Sequence, residues 1–193
     1  IFELSQEYDF LIDHLETQYS DYYKLKYNTS TVTLKEIQSK QNDNSAFIEY
    51  LLTDSILFIF GVTKDTVSFK QIHLDKNFDN LVSRFRESIH ERLFDEFVES
   101  SYQLYKILLE PLGFLKSKSN LLIITDDVLG YIPFEALLTK PVKKGGFDYR
   151  YLPYFINSYQ ITYDYSATLH YNHLNRNYGE IIQKLYGFAP IKY

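Results

Sequence analysis

Three carboxylates in one short stretch are the residues of this chain best placed to do chemistry. Asp126 and Asp127 stand side by side directly after the apolar run Leu121, Leu122, Ile123 and Ile124, and Glu135 follows just beyond Pro133. Two acids at the carboxyl end of a buried strand suit Mg²⁺ binding or the anchoring of phosphoryl transfer. The same residues also have a structural use. Adjacent carboxylates are seldom buried unless paired, so they terminate the strand. Asp126 is then expected to cap turn N–H groups, and Glu135 to sit near a helix start where the dipole favours an anion. No glycine-rich phosphate loop accompanies them, and the structural use is the expected one.

The other candidates are weaker. His170 and His173 stand three apart on an expected helix, a spacing that can chelate a metal, but no acid lies within a turn or two on the same helix and the chain has no Cys. His14 and His90 fall on amphipathic helices, and His73 is the fifth histidine of the chain. Ser166 lacks the Gly-x-Ser-x-Gly elbow that exposes a nucleophile and suits a helix N-cap better. The run Tyr149, Tyr151, Tyr154, Phe155, Tyr159, Tyr163 and Tyr165 has aromatic faces for base stacking, yet only Lys143, Lys144 and Arg150 supply charge near it, so core packing is expected. No catalytic, cofactor-binding or metal residue is assigned on these grounds, and no cofactor is called for.

Composition narrows the class. The chain has 193 residues, 45% hydrophobic and 18% aromatic, enough for one good-sized domain or for one domain plus a helical appendage. A formal net charge of −5 opposes non-specific nucleic-acid binding, which needs a basic surface. No apolar run reaches the roughly 18 residues of a membrane helix. The absence of Cys removes disulfides, thiolate metal sites and a cysteine nucleophile. With no Met, the chain starts at Ile1 without an initiator, which points to processing or to a piece of a longer protein. No secretory signal opens it, and a cytoplasmic setting is expected.

The elements that must position these residues can be read from periodicity. Leu4, Tyr8, Leu11, Ile12, Leu15 and Tyr19 are at helical spacing over 1–23. Thr33 and Glu36 fit a capping box opening a short helix to about residue 40. Residues 46–52, 55–63 and 66–72 read as strands joined by the two-residue connections Thr53-Asp54 and Lys64-Asp65, which favour antiparallel hairpins. Helices are expected over 75–92 and from 94 to near Pro111, then the strand at 121–124 and a helix started by Pro133. The stretch 139–150, with Pro141 and Gly145-Gly146, is a loop. A strand over 159–165, a helix capped by Ser166 and a final strand over 187–191 complete the reading. The boundary drawn is an N-terminal helical segment at 1–45, read as a helix of the domain itself or as the end of a helical repeat array, followed by an α/β domain at 46–193.

Two blocks carry a family likeness. The segment LLIITDDVLGYIPFEALL at 121–138 resembles the signature of CHAT domains, caspase-like domains often found after helical TPR repeats. The family typically shows an apolar strand, Pro-Asp-Gly, and then Pro-Phe-Glu with small and apolar residues. Asp126 and Pro133-Phe134-Glu135-Ala136-Leu137 match; Thr125 and Asp127 depart from the usual Pro and Gly. YDYSATL at 163–169 resembles the family's strand end running into Ser-Ala-Thr-Leu, and order and spacing agree. The resemblance covers roughly residue 35 onward. It implies a peptidase whose His and Cys lie beyond the matched region, the thiolate attacking a carbonyl while the His manages protons.

The expected fold is therefore α/β, a mixed sheet with antiparallel edge strands and flanking helices, the N-terminal portion of a caspase-like (CHAT) domain. The expected function is a non-catalytic structural or regulatory portion of such a cysteine peptidase, lacking the His/Cys dyad and inactive alone. The implied partners are a downstream catalytic half of the same protein, upstream helical repeats and other proteins, with no nucleic acid and no membrane. Self-association is expected where Leu185, Phe188 and Ile191 are left uncovered. The rivals are a stand-alone protein–protein interaction module and a Mg²⁺-dependent phosphotransferase or hydrolase using Asp126 and Asp127.

Overall fold

The structure, a computed structural model, describes residues 2–19 and 31–175. The chain divides into two units, Ile1–Thr33 and Leu34–Tyr193. The expected strand over 187–191 and its apolar residues lie outside the described residues, as does the end of the helix expected over 1–23. In the first unit, helix α1 (Phe2–Gln18) stacks His14 on Phe10, with ring centroids 6.3 Å apart.

The second unit is built on a five-stranded mixed sheet of order β3-β2-β1-β4-β5. The strands are β1 (Ser45–Leu52), β2 (Ile56–Val62), β3 (Val67–His73), β4 (Asn120–Ile124) and β5 (Gln160–Tyr163). β1, β2 and β3 form an antiparallel meander, and β1, β4 and β5 run parallel. The α/β class with antiparallel strands at one edge is thus present.

Both hairpins are closed by a threonine. Thr63 N–H donates to Thr66 O at 2.8 Å, and the Thr63 hydroxyl accepts from Thr66 N–H, bracketing the expected Lys64-Asp65 turn. The first turn is shifted by one residue from expectation. Thr53 and Ile56 bracket Asp54-Ser55, because the Thr53 hydroxyl takes the Ile56 N–H at 3.1 Å and so holds Thr53 on the strand side.

Alternation along the strands sends two apolar sets to opposite faces. Ala46, Ile48, Tyr50, Leu57, Ile59, Leu121 and Ile123 enter the larger core, where α3 (Phe78–His90) and α4 (Phe94–Leu108) cover them with Phe78, Val82, Phe85, Phe97, Val98 and Leu104. Gly61 has no side chain because the Phe114 ring occupies the position of its Cβ. Phe47, Val62, Leu122 and Ile124 form a smaller cluster on the other face, joined by Ile37 of α2 (Leu34–Ser39) and Ala167 of α5 (Ala167–Asn175). Lys40 ties these two helices, donating to Asn175 Oδ1 at 2.6 Å and lying over the Tyr171 ring.

The helix expected to start at Pro133 is a single 3-10 turn, Phe134–Ala136. It stops because Leu137 is extended and its carbonyl accepts Phe155 N–H at 2.7 Å, while Leu138 bridges Tyr154. Buried Ser101 of α4 fixes this exit, donating to Ala136 O and accepting from Leu138 N–H, both at 2.9 Å. The stretch 139–150 is irregular but tethered. Lys144 meets Glu99 at 2.6 Å, and Gly145, at φ 84, donates its N–H to Asp95 Oδ1.

Most of the tyrosine run packs as expected: Tyr149 against Phe94 and Phe97, Tyr154 against Phe97, Tyr159 against Phe155, and Tyr163 against Phe134. The Tyr149 hydroxyl is buried without a hydrogen-bond partner. A buried unpaired hydroxyl costs about 1–3 kcal/mol. Tyr149→Phe is therefore expected to leave stability unchanged or raise it by up to about 1 kcal/mol in urea unfolding; a loss larger than that would show that the hydroxyl is satisfied in solution.

Candidate functional site at the carboxyl ends of the parallel strands

Because β1, β4 and β5 are parallel, their carboxyl ends gather at one rim of the sheet, where open α/β sheets usually place ligands. Asp126 and Asp127 follow β4, Asp164 follows β5, Leu52 ends β1, and Glu49 of β1 is level with Ile124, the last residue of β4.

The adjacent aspartates do not work together. Asp126 reaches across to β1, where its Oδ2 accepts Leu52 N–H at 2.9 Å; its side chain does not cap its own turn, as had been expected. The turn is closed instead by the Asp126 backbone carbonyl, which accepts Leu129 N–H. Asp127 sits at φ 48, a left-handed conformation that Asp tolerates better than most residues. That twist sends its side chain to a different cavity, of about 140 Å³, lined also by Asp54, Asp75 and Asp79. Among the described residues no group of three or more His, Cys, Asp or Glu side chains is arranged to hold a metal ion.

Glu135 faces the neighbouring strand. It accepts the Tyr163 hydroxyl at 2.8 Å, and the same hydroxyl oxygen accepts Phe134 N–H at 3.1 Å. Burial, and then the Glu135 carboxylate, push the Tyr163 phenol well above its ordinary value, so it stays a donor throughout the physiological range. The turn after β4 and the last residue of β5 are thereby joined at one point, against the Phe134 ring, which also meets Tyr50.

Ser166 is an N-cap: its Oγ accepts Leu169 N–H at 3.1 Å. His170 has an acidic neighbour that the helix sequence does not show. Asp164, just before the helix, places Oδ2 3.0 Å from His170 Nδ1 and 4.0 Å from His173 Nδ1. The remaining histidines stand apart from this rim: His73 ends β3 and His90 lies 3.5 Å from Glu91. Arg150 pairs with Asp148 and Lys144 with Glu99, so two of the three basic residues near the tyrosines have internal partners.

Sequence reasoning passed over Glu49 and Tyr163 as individual residues. Glu49 lies on the smaller-core face of β1, directly opposite Phe60 and beside Ile124. It is half-buried, and burial raises its carboxyl above the ordinary value. The available signal was its place in the alternation: Phe47 and Leu51 flank it on the same face, a carboxylate inside an apolar stripe.

Comparison with protein-family models and with curated proteins gives no match. Among the described residues no helix is long and apolar enough to cross a membrane.

Two stability measurements check these roles. Asp126→Ala should cost about 1–3 kcal/mol by stranding the Leu52 N–H, while Asp126→Asn, which keeps an acceptor oxygen, should cost less than half as much. Equal losses would mean that the charge matters and not the hydrogen bond. Tyr163→Phe should cost about 1–2 kcal/mol, since both Glu135 and Phe134 N–H lose their partner; a loss that disappears in the Glu135→Gln background would place the whole effect in the Glu135 pair.

Proposed function

We propose that the second unit is the non-catalytic, N-terminal portion of a CHAT-like, caspase-related cysteine peptidase domain, and that it supports a catalytic half carried elsewhere on its parent polypeptide. The observation that carries this reading is the junction of the two signature-like blocks. Pro133-Phe134-Glu135 and YDYSATL are separate in sequence, yet Phe134 N–H and Glu135 both bind the Tyr163 hydroxyl. A pair of motifs with a shared scaffolding task should meet in this way. The parallel strands β4 and β5, with β5 as the outer strand of the described sheet, are suited to receive further parallel strands.

In this role the chain binds no substrate. Its residues set the floor on which a His and a Cys from the partner half would be aligned, and it supplies no nucleophile itself because it contains no Cys. Residues 1–45 would connect to upstream helical repeats. The Mg²⁺ reading loses support because Asp126 and Asp127 line separate cavities and Asp126 is engaged with Leu52.

The test is the parent reading frame and its product. It should continue into a His-Gly block and a later block containing the cysteine, and the full product should cleave a peptide library. Tyr163→Phe in that product should lower turnover several-fold without removing the dyad. A frame with neither block, or a full product without activity under any activating condition, would overturn the proposal in favour of a stand-alone interaction module.

A further inference from the structure

Glu49 is the anomaly of the sheet. Its neighbours on that face are apolar on every side: Phe47 and Leu51 along β1, Phe60 across on β2 and Ile124 across on β4. Among the described residues its carboxylate has no hydrogen bond and no ion pair; the carboxylates that do hold a Lys or Arg, Asp43, Glu96, Glu99 and Asp148, lie elsewhere. A carboxylate withdrawn from water and left unpaired is unfavourable, and its usual remedy is a cation.

The space for that cation is present. A cavity of about 370 Å³ opens beside Glu49 and is lined by Leu51, Phe60, Ile124, Asp126 and Tyr165. That volume lies within the roughly 300–1,000 Å³ of small-ligand sites. Phe60 is 39% exposed and Tyr165 92% exposed, so both rings offer free faces. Asp126 uses only Oδ2, on Leu52 N–H. Beyond the cavity the apolar surface continues through Phe60 to Phe69, whose ring centroids lie 4.9 Å apart.

We propose that this cavity binds the guanidinium of an arginine side chain on a partner peptide. Arginine fits the observations better than lysine. Its planar group pairs a carboxylate through two parallel N–H bonds and stacks on aromatic faces, and it sheds water more readily than an ammonium. The carboxylate pair sets the charge, and the exposed Phe60–Phe69 surface receives an apolar residue beside the arginine. The site does not rest on the caspase-like reading: its central carboxylate, Glu49, and the Leu51 and Phe60 side chains lie outside both signature-like blocks, which contribute Ile124, Asp126 and Tyr165 to its wall.

The experiment is an NMR titration of the full chain with N-acetyl-arginine methylamide, its neutral citrulline counterpart and the lysine analogue. The arginine probe should shift the amides of Glu49, Leu51 and Phe60 saturably with millimolar affinity. Citrulline should leave them unmoved, and lysine should bind more weakly. Glu49→Gln should reduce arginine affinity by about tenfold, the loss of one charge-assisted contact. The variant's melting temperature should stay the same or rise, because an unpaired carboxylate is removed. Equal shifts with citrulline, equal affinity for lysine, or unchanged affinity in Glu49→Gln would overturn the assignment. A lowered melting temperature in Glu49→Gln would show that the charge has a partner within the chain. A wild-type dimer that Glu49→Gln dissociates would identify a second copy as the occupant. Either result also overturns it.

Discussion

Strand β4 sets the terms for the rest of the second unit. Leu121, Leu122, Ile123 and Ile124 are all buried, so neither face of the strand tolerates water and each must be given a cover. α3 and α4 supply one, α2 and α5 the other, and the two differ greatly in extent. The thick layer is a continuous core reaching from Tyr50, whose hydroxyl donates to Leu108 O, to Phe155. The thin layer covers the sheet centre and leaves the β2–β3 end of the same face partly open, where Leu51, Phe60 and Phe69 remain exposed.

Much of this could be read from residue order, and what could not has physical reasons. Period-two alternation and turn residues located all three strands of the meander, and the 3.6 period located both long helices. A shift of one residue in the first turn went unseen because Thr53 and Asp54 are equally good turn residues, and only the hydroxyl's bond to Ile56 N–H decides between them. The helix expected after Pro133 failed for a long-range reason: Ser101, from another helix, claims Ala136 O and Leu138 N–H. Local propensity holds no information about that claim. The strand-ending role of Asp126 and Asp127 was legible, but the partner of Asp126 sits on β1, far away in sequence. His170 shows the same limit, since its acid, Asp164, precedes the helix and falls outside the helical spacing that pairs side chains.

The rim formed by β1, β4 and β5 brings together groups of opposite tendency. Tyr163, Glu135 and Phe134 N–H are mutually satisfied and make a fixed joint. Glu49, half-buried and without an ion pair among the described residues, lies on the other face. A scaffold needs the first kind of feature and a recognition surface needs the second. Their separation on opposite faces of the sheet allows one chain to carry both, because substitutions that alter the open face leave the joint untouched.

The strand order also dictates a timetable for folding. The meander closes through neighbouring residues, with Thr53 against Ile56 and Thr63 against Thr66, so its turns can form on the microsecond scale of hairpins. Joining β1 to β4 means bringing Asn120 onto Ser45 across the whole α3–α4 hairpin, and loop-closure entropy opposes that step until the hairpin shortens the path. Until it is completed, the apolar edge of β1 has no partner. The nascent chain is therefore most vulnerable to mispairing in the interval between emergence of the meander and arrival of β4, when the two helices between them act as an internal chaperone by covering Ile48, Tyr50, Leu57 and Ile59.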